Sequence, residues 1–215
     1  MITLTYQSLA DFSGLPALRD AVASGHPGFL VNQVPQLPSD LYVDAKHNIK
    51  LHKKDVSSPG QAMELMRTLH HCSQLIYNNL SHALELPWEK YLSEMHEFAA
   101  PSSDVLQTVN AEDRIPNEWS TLTLILSSTQ PGTALVLFGT ALSVFSEGLT
   151  PELSHVSIDT QLLSGLSTPT GGNYVVYFAR PNDDVYYTRT AGALMTPLST
   201  SDYERRKRVK EIITL

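Results

Sequence analysis

Histidine moves protons and binds metals at neutral pH more readily than any other side chain, and this sequence carries eight. Their spacing argues against a shared metal. His70 and His71 are adjacent, so on a helix their side chains diverge by about 100° and do not face one ion. His47 and His52 lie in a polar stretch and read as surface or satisfied residues. No His-Glu-x-x-His helix, Gly-x-Ser-x-Gly elbow, Walker loop or strand followed by Gly-x-Gly-x-x-Gly occurs. The usual signatures of zinc proteases, serine hydrolases and nucleotide-binding domains are therefore missing. Cys72 is the only cysteine. It falls in an apolar helical stripe with no second thiol, which reads as buried filler in a reducing compartment.

Charge narrows the partners further. A net charge of −7 over 215 residues opposes phosphate binding, which needs a clustered positive surface. The one dense basic run, Arg205 to Arg208, reads as the wet face of a terminal helix: Glu204 pairs Arg208, and Val209, Ile212 and Ile213 face inward. The N-terminus has no charged segment followed by a continuous apolar one, so no signal peptide is expected. No stretch approaches the roughly 20 apolar residues that span a bilayer. The expected protein is cytoplasmic, with no nucleic-acid or membrane partner.

The elements that would position a site follow from periodicity. ITLTYQSL alternates like a short strand, LPALRDAVASG reads as a helix stopped by Gly25, and Gly28 to Pro35 is a compact apolar strand closed by proline. Gln36 to Val56 reads as loop or weak structure. Ser58 to Leu84 is the clearest helix: Ser58 and Gln61 fit a capping box, Pro59 sits in the first turn, and Met66, Leu69, Cys72, Ile76, Leu80 and Ala83 form one apolar face. WEKYLSEMHEF suggests a second, short helix. From Val105 the chain turns to short β-rich runs, WSTLTLIL, TALVLFG, ALSVF, LSHVSI, NYVVYFA and DVYYTRT. Helices followed by strands, without alternation, predict one α+β domain over 1–215: a helical part to 104, an all-β core over 105–200 and a closing helix over 201–215.

Six segments then carry a resemblance. GFLVNQVP, NEWSTLTLIL, PGTALVLFGTALSVFSEG, LSHVSI, NYVVYFARPNDD and DYERRKR resemble, in order, segments of the isopenicillin N synthase-like iron(II)/2-oxoglutarate dioxygenases. The resemblance implies a double-stranded β-helix (a jelly-roll, cupin-like core) with N-terminal helices packed on it. In that family iron sits between two histidines and one carboxylate. Aligned through TLTL, the first histidine falls on Pro116, the carboxylate on Glu118 and the distal histidine on His155. The arginine that anchors 2-oxoglutarate falls near Gly172 or Asn173, and its serine partner near Tyr174. None of these replacements offers the charged fork a carboxylate anchor uses. Only Ile125 to Gln130 separate TLTL from the next strand, where the family carries a pocket-lining hairpin, and the N-terminal half looks abbreviated. The resemblance thus implies a truncated, degenerate member with no metal and no cofactor.

Three functions follow as expectations. The first is a non-redox cyclase, isomerase or dehydratase of secondary metabolism acting on a mostly apolar small metabolite. Glu118 and His155 would be its acid and base, and Trp119, Phe138, Asn173, Tyr174 and Tyr177, with Phe178, would line the pocket. The plain alternative is that Glu118 and His155 form a structural pair and the aromatics are core. The second is a non-catalytic pseudoenzyme that binds a ligand, or pairs as a homodimer or heteromer through an exposed sheet face. The third is an iron(II) oxygenase with a substituted ligand set.

Overall fold

A computed structural model describes residues 1–35, 50–53, 61–87, 91–110, 115, 120–127, 129–151, 162–166, 173–187 and 198–199. The chain opens with strand β1 (Thr3–Thr5) and turns at once into helix α1 (Tyr6–Ala10). The expected strand is cut short because Thr5 and Ser8 form a capping box. The Ser8 backbone N–H donates to Thr5 Oγ1, and the Thr5 N–H donates to Ser8 Oγ. Helix α2 (Leu15–Ala23) follows, started by Pro16 and left through Gly25 at φ +69°, a left-handed conformation that suits glycine. Strands β2 (Gly28–Asn32) and β3 (Lys50–His52) come next, the latter inside the segment read as weak structure.

Helix α3 (Gln61–Ala83) is the long amphipathic helix the sequence announces. Met66, Leu69, Cys72, Ile76 and Leu80 are all fully buried. It ends four residues before Pro87. Glu85 takes a left-handed φ of 53°, and the Leu86 N–H folds back onto the Ser81 carbonyl, closing the last turn. Burial pushes the Cys72 thiol up to about 12. A thiol held neutral in a packed core is a poor nucleophile, so Cys72 should resist an aromatic disulfide reagent at pH 8 in the native protein and titrate as one thiol once denatured. Fast native labelling would show that the helix is not packed this way.

Strands β4 (Val105–Asn110), β5 (Leu122–Ser127), β6 (Thr133–Phe138) and β7 (Asn173–Ala179) complete a seven-stranded sheet of order β1-β2-β6-β5-β7-β4-β3. Every neighbouring pair is antiparallel except β1 with β2. A separate two-stranded piece pairs β8 (Tyr186–Tyr187) with β9 (Leu198–Ser199). The first hundred residues are thus not only helical: they give three strands to the same sheet. Strand LSHVSI and the closing helix over 201–215 lie outside the described residues. The architecture is α+β, a sheet with helices packed on one face.

Two other readings are corrected. ALSVF is not a strand but part of helix α4 (Thr140–Phe145). Short apolar runs fit either state, and here the chain reverses at Gly139, where a Cβ would lie 2.1 Å from the Ser120 carbonyl oxygen. The Ala141 N–H then bonds that carbonyl and Ala141, Leu142 and Phe145 bury themselves together, a helical spacing. The second correction is WEKYLSEMHEF, which in its described part makes only a 3-10 turn at Glu94–His96. Its carbonyls are taken by side chains: His96 bonds Leu92, Gln74 bonds Ser93 and His96, and Lys53 bonds Glu97. No described helix is long and apolar enough to cross a membrane.

Candidate functional site

Because side chains alternate along a strand, the register fixes what each face carries. Towards the helices one row reads Leu51, Leu106, Tyr177, Leu124, Val136, Phe29 from β3 across to β2. This row packs with α3 in the larger apolar core. On the opposite, inner face, one row reads Lys50, Gln107, Val176, Ile125, Leu135, Leu30, and the next reads His52, Val105, Phe178, Thr123, Leu137, Gly28. A second apolar cluster joins Val105, Val109, Ile125, Leu135, Leu137, Tyr174, Val176 and Phe178 there, with Ile115, Leu163 and Leu166 from outside the sheet.

The helix face hides a polar network. Tyr177 Oη donates to Asp104 Oδ2 at 2.8 Å, and the Arg180 N–H donates to Asp104 Oδ1 at 2.8 Å. His70 Nδ1 lies 3.2 Å from Tyr177 Oη. Since that hydroxyl proton is committed to Asp104, His70 carries its own proton on Nδ1 and donates. Its Nε2 then accepts from the Gln74 carboxamide at 3.2 Å. His96 donates through Nδ1 to the Leu92 carbonyl, accepts at Nε2 from Thr121 Oγ1 at 2.6 Å, and stacks on Tyr77 with ring centres 4.1 Å apart. Both imidazoles are neutral. Burial, then the Lys53 charge, holds His70 down to about 4, and burial holds His96 down to about 3.

Burial pushes the Asp104 carboxyl above its ordinary range, against the Arg180 N–H and the Lys53 ammonium, which favour its charge. Lys53 is half-buried. Its Nζ donates to the Ala100 carbonyl at 2.9 Å and Ser102 Oγ at 3.1 Å, and lies 4.8 Å from the centre of the Phe98 ring. These contacts tie α3, the 91–104 segment and β7 into one block. Nothing in the sequence periodicity announces Asp104 or His96.

Inner-face polar groups are few. Thr123 pairs with Ser120, and Thr133 with Asn32. Gln107 is different. It is only 7% exposed, flanked by Val105 and Val109 and paired in register with Val176. The signal was legible, since VLQTVN places a glutamine where the alternation of Val105 and Val109 calls for an apolar residue.

The expected site residues divide accordingly. Glu118, Trp119 and His155 lie outside the described residues. Tyr174 is buried on the inner face among apolar neighbours, in register with Val109 and Ser127. Phe138 and Tyr177 belong to the helix side, Phe138 edge-on to Phe29 at 6.0 Å and Tyr177 in the polar network. Asn173 shares the parity of Tyr177 and is buried. Of the described members, only Tyr174 takes the inner face, while Phe138, Asn173 and Tyr177 take the helix face. Tyr174 and Tyr177 are three residues apart on one strand, and an odd separation puts side chains on opposite faces. Among the described residues no group of three His, Cys, Asp or Glu is placed to hold a metal.

No protein-family model matches the sequence, and no curated protein matches it. Solved structures do. A putative 2OG-Fe(II) oxygenase family protein from Caulobacter crescentus superposes with a TM-score of 0.62 at 10% identity, covering 98% of both chains. JOX2, solved with 2OG, Fe and JA, gives 0.62 at 13% identity over 97% of this chain and 85% of its own. A full-length Neurospora crassa protein, solved with alpha-KG and 5-formyluracil, gives 0.60 at 9% identity over 95% of this chain and 94% of its own. The fold is that of the 2-oxoglutarate/iron(II) oxygenases. Within that fold the core is a jelly-roll. At these identities the likeness speaks to the fold alone.

Proposed function

We propose that this protein uses the oxygenase fold without its iron and 2-oxoglutarate, as a non-redox cyclase, isomerase or dehydratase acting on a mostly apolar small metabolite. Tyr174 carries the reading. It fills a place on the inner face that the resemblance gives to the serine partner of 2-oxoglutarate, and it is 1% exposed in a cluster with Val109, Ile115, Leu163 and Leu166. That is a setting for hydrocarbon and not for a dicarboxylate. The donor chemistry points the same way. In the resemblance Pro116 stands for the first histidine and has no lone pair to give, and the anchoring arginine falls near Gly172 or Asn173. The residues present do not fit the iron and 2-oxoglutarate of this fold.

In this reading Glu118 and His155 supply acid and base, and the apolar rows of β4, β5, β6 and β7 hold the substrate in a reactive conformer. Trp119 joins Tyr174 in lining the site. Phe138, Asn173 and Tyr177, facing the other way, support it from behind. We place the protein in the reducing cytoplasm, in keeping with its one buried thiol.

Anaerobic titration of metal-stripped protein with iron(II), followed by calorimetry, tests this directly. The expected result is no stoichiometric uptake, with or without 2-oxoglutarate. One equivalent bound by the wild type and lost in His155→Ala would instead establish an iron oxygenase with a substituted ligand set.

A further inference from the structure

We propose that residues 94–104 form a strap closed by a monovalent cation, and that the Lys53 ammonium is that cation, tethered to the edge of the sheet. The strap has little regular structure: a 3-10 turn at Glu94–His96 and an isolated bridge from Ser102 to Asn182 precede β4. Chain of this kind leaves carbonyl oxygens without ladder partners. Here they converge. The Ala100 N–H folds back onto the Glu97 carbonyl, and Lys53 Nζ donates to the carbonyls of that turn, Glu97 at 3.4 Å and Ala100 at 2.9 Å, and to Ser102 Oγ at 3.1 Å. Three oxygens meet three N–H donors, and the centre of the Phe98 ring lies 4.8 Å from the same nitrogen. Half-burial holds the ammonium below its ordinary range, and the charges of Asp104 and Asp183 work against that shift. Carbonyl and hydroxyl oxygens gathered round one positive centre are the donor set that strips and replaces the hydration shell of a potassium ion.

Lys53 is placed by the sheet, not by the strap. It follows directly on β3, and its own N–H donates to the Asp104 carbonyl. On the opposite flank the Asn182 N–H bonds the Met95 carbonyl and the Asp183 N–H bonds the Pro101 carbonyl. From α3, Gln74 reaches the Ser93 and His96 carbonyls. Of these ties the Lys53 contact is the charged one, and a charged donor holds neutral oxygens more strongly than an amide does. What it holds down is His96, whose ring is 1% exposed between Tyr77 of α3 and Thr121 just before β5. Opening the strap draws that ring out of the core. The shape of the site is selective as well. Three oxygens round one point suit a compact cation, whereas a guanidinium donates in a flat fork.

Native-state cleavage by a glutamate-specific protease reads the strap, because Glu94 and Glu97 are exposed within it. Full-length Lys53→Ala should be cut after Glu97 at least about tenfold faster than wild type, in line with the loss of a hydrogen bond to a charged group. Propylammonium carries the atoms that this substitution removes and should return cleavage towards the wild-type rate. Potassium and ammonium chloride should return part of it. Tetramethylammonium at matched ionic strength has the charge but neither the donors nor the size, and should return none. Lys53→Arg should stay fast, and wild type should not respond to the choice of salt. Lys53→Met keeps the stem and serves where Lys53→Ala does not fold: it should be cut faster than wild type and be slowed by ammonium but not by tetramethylammonium. Cleavage of Lys53→Ala and Lys53→Met at the wild-type rate overturns the proposal. So does slowing by every salt alike, which is plain ionic strength, or full recovery in Lys53→Arg.

Discussion

Taken from pH 7 to pH 4, the folded protein should lose several kcal/mol of stability, and most of that loss should trace to two histidines. His70 and His96 are neutral donors inside the helix–sheet interface, with their proton affinities held down to about 4 and about 3 against an ordinary 6.5. The unfolded chain therefore takes up protons first as the pH falls, and the equilibrium moves towards it. The loss begins near pH 6.5, runs to about 4 for His70 and continues towards 3 for His96. At about 1.4 kcal/mol per pH unit, the His70 window alone is worth about 3 kcal/mol, and that of His96 is at least comparable. Asp104 works in the opposite sense. Its carboxyl is held above its ordinary range, so the fold binds that proton more readily than the unfolded chain and recovers part of the loss near the acid end. Urea unfolding at pH 7, 6, 5 and 4 measures the slope. His96→Gln should be less stable at pH 7 yet show a shallower fall, while a wild-type profile flat from 6.5 to 4 would mean that these imidazoles are not buried as described.

This interface also marks where sequence reading stops. Helix α3 was legible because five buried residues recur at spacings of three and four. The central strands were legible because runs such as NYVVYFA combine β-branched and aromatic residues between turn signals. The order of these segments, not their identity, carried the resemblance to the oxygenase fold, which is why it survives at 9–13% identity. What periodicity cannot supply is the partner of a polar residue distant in the chain. Asp104 meets Tyr177 across 73 positions, and His96 meets Thr121 across 25. Nor does aromatic character say which face a side chain takes: Phe138 and Tyr177 looked like pocket walls until the register set them against α3. Gln107 shows the converse, since one polar residue in an apolar alternation is a local signal readable without coordinates.

The largest loss from a single substitution is expected at Asp104. Its two oxygens hold the Tyr177 hydroxyl and the Arg180 N–H, its charge faces Lys53 and it is 1% exposed. Asp104→Ala removes an acceptor from a hydroxyl and a backbone amide at once and takes away one of the two carboxylates, with Asp183, whose charge favours the Lys53 ammonium. Breaking a buried charged arrangement from one side costs about 3–5 kcal/mol. Asp104→Asn should cost less, because its side-chain oxygen still accepts one of the two bonds. Tyr177→Phe should cost about 1–3 kcal/mol, as a buried acceptor is left unmade. If the two groups act through their mutual bond, Asp104→Ala combined with Tyr177→Phe will cost less than the two single changes together, by about 0.5–3 kcal/mol. The consequence reaches the other side of the sheet. Strand β7 is fixed from behind by Tyr177 and, just past its end, by Arg180, while Tyr174 and Val176 of the same strand face the proposed ligand. Loosening the first set should therefore also loosen Tyr174 and Val176, although none of these residues touches that face. Strict additivity in the cycle would show that Asp104 and Tyr177 do not act through their mutual bond.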